Sequence, residues 1–252
     1  MPVSKKVISN SLASTVAAGA LILAAAESAD AATLEMRLTY GATQLVVGDN
    51  SGSGNDIDAA TNVIQFQATS GGDDSADAAD FFAVGFTFLD VIGALCTICP
   101  DTLQLDLQAT NPTARDDPQS PTLLVEVSAT DFMLPTALSP WFGEANLTGI
   151  PRNATIRTAA WWDPGNALYA RTNLLGEKES GSTFGEDFFT TWADVDAPYS
   201  MTLEMEFDFT GQTQTMQGQS QARLSAIPVP ATLPLLLGAM GLLGFLRARR
   251  RG

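Results

Sequence analysis

Through much of this chain, apolar and polar side chains alternate one for one. In TLEMRLTY, Leu34, Met36, Leu38 and Tyr40 share one parity, and Glu35, Arg37 and Thr39 take the other. TLQLDLQAT repeats the pattern with Leu103, Leu105 and Leu107. YSMTLEMEFDFTG is the clearest case: Met201, Leu203, Met205, Phe207 and Phe209 point one way, and Thr202, Glu204, Glu206 and Asp208 the other. Successive side chains on a strand face opposite sides, so this rhythm predicts strands with one buried and one wet face. A helix would instead set Glu204 beside Asp208 and scatter the apolar residues. Further strands are predicted over 44–47, 63–68, 81–89, 122–130, 155–162, 167–172 and 219–226. Turn-rich stretches separate them: GDNSGSGND, SGGDDSADAAD, NPTARDDPQSP and LGEKESGSTFGED. No amphipathic helix of ten or more residues stands out, and no repeat of fixed period. The expected fold is all-β, an antiparallel β-sandwich or jelly roll over 32–226.

The two ends follow other rules. Lys5 and Lys6 precede an apolar run over 12–26, which finishes in Ala29-Asp30-Ala31. That is the layout of a cleavable signal peptide, residues 1–31, rather than of a retained anchor. The chain holds 13 Lys+Arg against 28 Asp+Glu. Without the charges of the leader and the four arginines of the tail, 7 basic and 26 acidic residues remain, a net charge of about −19. Such a surface repels nucleic acid.

Candidate chemistry is sparse. The chain has no histidine, which removes Ser-His-Asp triads, Cys-His dyads and His-ligated zinc. Cys96 and Cys99 are expected to close a local disulfide, in keeping with export. Carboxylates cluster at Asp73, Asp74, Asp77 and Asp80, and along Glu204, Glu206 and Asp208. A glycosidase needs such a pair at a set separation, but an acidic protein offers many by composition, and a solvated face is the expectation. The chain is therefore read as non-enzymatic. GDNSGSGNDID offers oxygen ligands for calcium at Asp49, Asn55, Asp56 and Asp58, without the EF-hand spacing or its closing glutamate. A polar loop uses the same residues. The sequons at Asn146 and Asn153 are read as chance matches. Trp141, Trp161, Trp162 and Trp192 serve either as core or as a platform for stacking sugars. Trp161 and Trp162 are adjacent, so on a strand they face opposite sides and one is open to exposure.

The tail has three parts in order. Ile227-Pro228-Val229-Pro230-Ala231 is followed by an apolar run over 233–246 and by Arg247, Arg249, Arg250 and Arg251. As a helix the run covers ~21 Å, short of a hydrocarbon core of ~30 Å. The arginines mark a cytoplasmic end. This ending resembles the PEP-CTERM sorting signals, and most closely their VPLPA variant. The two prolines and Ala231 match; Ile227 and Val229 depart from the usual residues. The resemblance spans residues 227–252. It implies a single transmembrane helix, recognition by an exosortase of a Gram-negative bacterium, an inner-membrane intermediate, and release to the cell surface or medium. It also implies a structural or adhesive role linked to exopolysaccharide. A carbohydrate-binding module, with or without calcium, is the alternative.

Overall fold

The computed structural model describes residues 33–49, 54–69, 75–95, 102–112, 121–133, 141–150, 155–192, 197–210 and 215–226. The leader, Asp73, Asp74, Cys96, Cys99, Asn153 and residues 227–252 lie outside them, as do the side chains of Trp141 and Trp192. Among the described residues, no helix is long and apolar enough to cross a membrane.

Among the described residues, twelve strands build two six-stranded antiparallel sheets. Sheet A runs β2 (Thr43–Gly48), β1 (Leu34–Tyr40), β6 (Leu123–Phe132), β11 (Tyr199–Asp208), β8 (Thr155–Asp163) and β9 (Asn173–Ser180). Sheet B runs β10 (Phe184–Trp192), β7 (Trp141–Ile150), β12 (Met216–Ala226), β5 (Thr102–Thr110), β4 (Phe88–Leu95) and β3 (Val63–Thr69). From β5 to β8, and again from β9 to β12, the chain alternates between the sheets, so neither layer forms without the other.

The core is the apolar parity of these strands. Met36 and Leu38, Val125 and Val127, and Leu203, Met205 and Phe207 come from sheet A. Ile64, Phe66, Leu105, Leu107 and Leu147 meet them from sheet B. Each such side chain contributes ~1.5–3 kcal/mol on burial. A buried polar contact bridges the layers: the Thr158 and Ser220 hydroxyls lie 2.7 Å apart and fully buried. Phe66, Phe81, Phe86, Tyr40 and Phe209 close one region with edge-to-face contacts at centroid distances of 5.0–5.8 Å.

Three features correct the expectations from sequence. The strand expected over 81–89 divides into a short helix, α1 (Ala78–Ala83), and the start of β4 at Phe88. The helix drops Phe81 into the core, a position that simple alternation does not encode. Residues 167–172 form no strand, and lie in the loop between β8 and β9. Three strands, β7, β9 and β10, were hidden. The inward positions of β7 include Gly143, Ala145 and Gly149, too small to signal burial. Strands β9 and β10 are edges of different sheets, rich in Glu, Lys and Asp, so LGEKESGSTFGED reads as a turn although most of it is strand.

Glycines let the sheets pack closely. A Cβ on Gly93 of β4 would stand 2.8 Å from Val127 Cγ2 across the core. Gly93→Ala is therefore expected to cost ~1–3 kcal/mol through overpacking, which lowers the thermal midpoint by several degrees at ~2–4 °C per kcal/mol. Circular dichroism melting checks this. An unchanged midpoint would mean that the layers do not meet there.

Candidate functional site

Because the apolar parity is spent in the core, both sheets turn polar faces outward, and the two faces differ. On sheet A, Glu126 of β6 and Glu204 of β11 sit directly opposite each other, each 1% exposed. Like charges in that register repel, and removing both from water is costly. Three arginines resolve it. Arg171 lies 2.9 Å from Glu126 and 2.6 Å from Glu204. Arg37 pairs with Glu126 at 2.6 Å, and Arg157 pairs with Glu204 at 2.6 Å and Glu177 at 2.7 Å. Charges thus alternate across the sheet. Burial pushes the Glu204 carboxyl above its ordinary value, and Arg171 and Arg157 offset only part of that.

Arg171 belongs to the loop 164–172, which lies over this face. The Ala167 carbonyl accepts from the Ser200 hydroxyl at 2.7 Å, and the Tyr169 N–H donates to the Ser128 hydroxyl at 3.0 Å. Arg37 stacks over the Tyr169 ring at 4.1 Å. Asp163 holds both ends of the loop, accepting from the Thr172 hydroxyl and the Ala167 N–H. Burial acts to raise its pKa, but these donors, with the Gly165 N–H, outweigh it and hold the carboxyl below its ordinary value. The expected wet face of β11 is thus corrected: Thr202 and Glu204 are buried beneath loop and guanidinium, while Glu206 and Asp208 stay partly exposed. Beyond the loop, an open groove of about 420 Å³ runs past Thr39, Thr122, Arg157 and Glu206. Its charges are already matched: Glu206 accepts from Thr122 at 3.0 Å and faces Arg157 at 3.4 Å.

On sheet B, no described loop residue is bonded across the face in this way, and the residues are of another kind. Amides dominate the outward positions: Gln217, Gln219 and Gln221 on β12, Gln104 and Gln108 on β5, and Asn146 on β7. Strand register sets them in rows across the sheet. One row runs Asp187, Asn146, Gln221 and Gln104; the next runs Thr148, Gln219 and Asp106. Burial raises the Asp106 pKa, and a hydrogen bond with Gln219 counters this in part. Towards the β10 edge, Thr102, Glu144, Asn146, Gln221 and Arg223 line a depression of about 240 Å³. Arg223 pairs with Glu144 within it. Beside Glu144, as its cross-strand neighbour, stands Phe189, the most exposed large apolar residue described, at 66%.

The other residues singled out from sequence fall elsewhere. Asp49, Asn55, Asp56 and Asp58 shape the connection between β2 and β3. Asp49 accepts from the Asn62 N–H, Asp56 from the Asp58 and Gln65 N–H groups, and Asp58 from the Ala60 N–H. Asn55 is buried against Asp77, with its amide donating at 2.6 Å. Among the described residues, no three acidic or cysteine side chains gather to hold a metal. Trp162 is buried in the core, and Trp161 faces outward on sheet A, half-buried beside Leu174. Among the described residues, the exposed aromatic is Phe189. The signal for it is FGEDFFTTW, where neighbouring Phe188 and Phe189 must take opposite sides.

No family model matches this chain, and no curated protein matches it. Among solved structures it is similar to the enzymatically active domain of tailspike protein 4 of bacteriophage CBA120. That match has a TM-score of 0.29 and 8% identity, over 70% of this chain and 21% of that one. It is similar to TmCBM61 in complex with beta-1,4-galactotriose, with a TM-score of 0.29 and 11% identity, over 58% of this chain and 94% of that one. It is also similar to TmCBM27, a carbohydrate-binding module with specific mannan recognition, with a TM-score of 0.25 and 13% identity, over 50% and 75%. Likeness at these TM-scores does not extend to a ligand.

The loop on sheet A yields two expectations. Arg171→Met leaves Glu126 facing Glu204 with only Arg37 and Arg157 to separate them. It should destabilise by ~1–3 kcal/mol, less than the 3–5 typical when a wholly buried pair loses its partner; urea unfolding at neutral pH measures it. Asp163→Ala should also destabilise at neutral pH. A depressed folded pKa stabilises above the ordinary carboxylate value and is lost as pH falls through the folded one. The gap between wild type and Asp163→Ala should therefore narrow on acidification below the ordinary aspartate value of 3.8. A gap that is constant with pH would contradict the assignment.

Proposed function

We propose that this chain is an exported, non-catalytic β-sandwich that holds polysaccharide on the outer face of sheet B. The observation that carries the reading is Phe189, exposed beside a polar depression on an otherwise open sheet. A solvent-facing ring offers an apolar face for stacking, and an apolar ring flanked by precisely placed hydrogen-bonding groups is the pattern of a ligand site. A pyranose ring offers both halves of the match: C–H surfaces to lie on Phe189, and hydroxyls for Asn146, Gln221, Glu144 and Arg223. The sheet A groove fits less well, because no aromatic ring is among its lining residues.

The C-terminal resemblance supplies the address. An exosortase recognises Pro228, Pro230 and the apolar run, the arginines hold the tail on the cytoplasmic side, and processing frees the sandwich to the cell surface or matrix. A polysaccharide-holding module placed there acts as an adhesive component of the exopolysaccharide. The sorting half rests on sequence, and the binding half on geometry, so they are tested apart.

Phe189→Ala is expected to weaken binding to soluble polysaccharide at least tenfold, about 1.4 kcal/mol, with an unchanged melting temperature. Affinity electrophoresis reads the first and calorimetry the second. Undiminished binding would place the site elsewhere. For sorting, the intact mass of the protein from cell surface and medium should lack residues 1–31 and everything beyond 227–231. A mass retaining Arg247 to Arg251 would mean a plain anchor.

A further inference from the structure

Resting on the reading of sheet B as a polysaccharide-holding face, we infer that its ligand is a neutral, linear β-1,4-linked pyranose chain laid across the strands, perpendicular to them. The argument is one of register. Side chains directly opposite on neighbouring strands are separated by the strand spacing, ~4.8 Å. Two neighbouring rows therefore repeat hydrogen-bonding groups at that interval: Glu144, Arg223 and Thr102, which start one strand in from Phe189, and Asn146, Gln221 and Gln104, which start one strand in from Asp187. In an extended β-1,4-linked chain, each sugar advances by about one such spacing. A chain laid along the depression between these rows, with its end sugar on Phe189, thus meets polar side chains from both rows at each sugar from β7 to β5. A chain running along the strands would meet outward side chains only at every second residue, ~6.8 Å apart, out of step with the sugar repeat.

Charge decides between neutral and acidic chains. On the outward positions of sheet B, Glu144, Asp187, Asp106 and Asp90 outnumber Arg223, and Arg223 is already paired with Glu144. A uronate chain would bring carboxylates against these carboxylates. Amides serve a neutral chain well, because each supplies both a donor and an acceptor to hydroxyls that are themselves both.

The test is isothermal titration of the full-length protein with cello-, manno- and xylo-oligosaccharides from disaccharide to hexasaccharide, and with oligogalacturonates of the same lengths. At least one neutral series should gain affinity with each added sugar until the ligand spans the rows and then level off, with the uronates at least tenfold weaker at matched length. Gln104→Ala, at the far end of its row, should lower affinity for the hexasaccharide about tenfold and leave the disaccharide unchanged. Gln221→Ala, one strand nearer Phe189, should act on shorter chains. Affinity that is independent of length, yet lost in Phe189→Ala, would overturn the inference while leaving the depression as a glycan site. Uronates that bind as tightly as neutral chains would also overturn it. No binding by any neutral series would overturn both the inference and the reading beneath it.

Discussion

Two sheets share one set of apolar side chains, and this shared core dictates what every other residue can do. Once Leu38, Val127, Leu105 and Phe207 are committed inward, the opposite parity of the same strands must point outward. A sandwich of this kind always has two outer faces. Their fates are set by what the alternate positions carry and by which connections cross them.

On sheet A those positions carry opposing glutamates, and the chain has to answer for them. The loop 164–172 does so with Arg171, placed between Glu126 and Glu204, and with backbone groups bonded to Ser128 and Ser200. The result is a face bound to its own loop. Buried ion pairs of this type are weak contributors to net stability, because desolvation offsets much of the attraction. Their clearest physical effect here is to fix where the loop lies. On sheet B the outward positions carry amides, which tolerate water and demand no partner. That face stays open, and its most exposed large apolar side chain among the described residues, Phe189, stands at its edge.

The sequence makes the core far more legible than the surface. Period-two alternation locates β1, β5 and β11 to within a residue or two, since burial and parity coincide there. It fails where inward residues are glycine and alanine, as in β7, and where an edge strand is charged on both sides, as in β9. It fails at Phe81, where a single buried ring rides on one helical turn. The site was harder still. Glu204 looks solvated in sequence because Arg171 and the loop that cover it are distant along the chain. Phe189 is one of two adjacent phenylalanines, and only the pairing of β10 with β7 tells which of them faces water. The amide rows depend on register among strands far apart in sequence, which no local pattern contains.

The central claim is that ligand meets sheet B and not sheet A. The most direct measurement is mapping of backbone amide shifts by NMR during titration with a soluble polysaccharide. The account predicts perturbations concentrated on β10, β7, β12 and β5 around Phe189, with the loop 164–172 and the sheet A groove unmoved. Perturbations centred on that loop, on Arg157 or on Glu206 would contradict it.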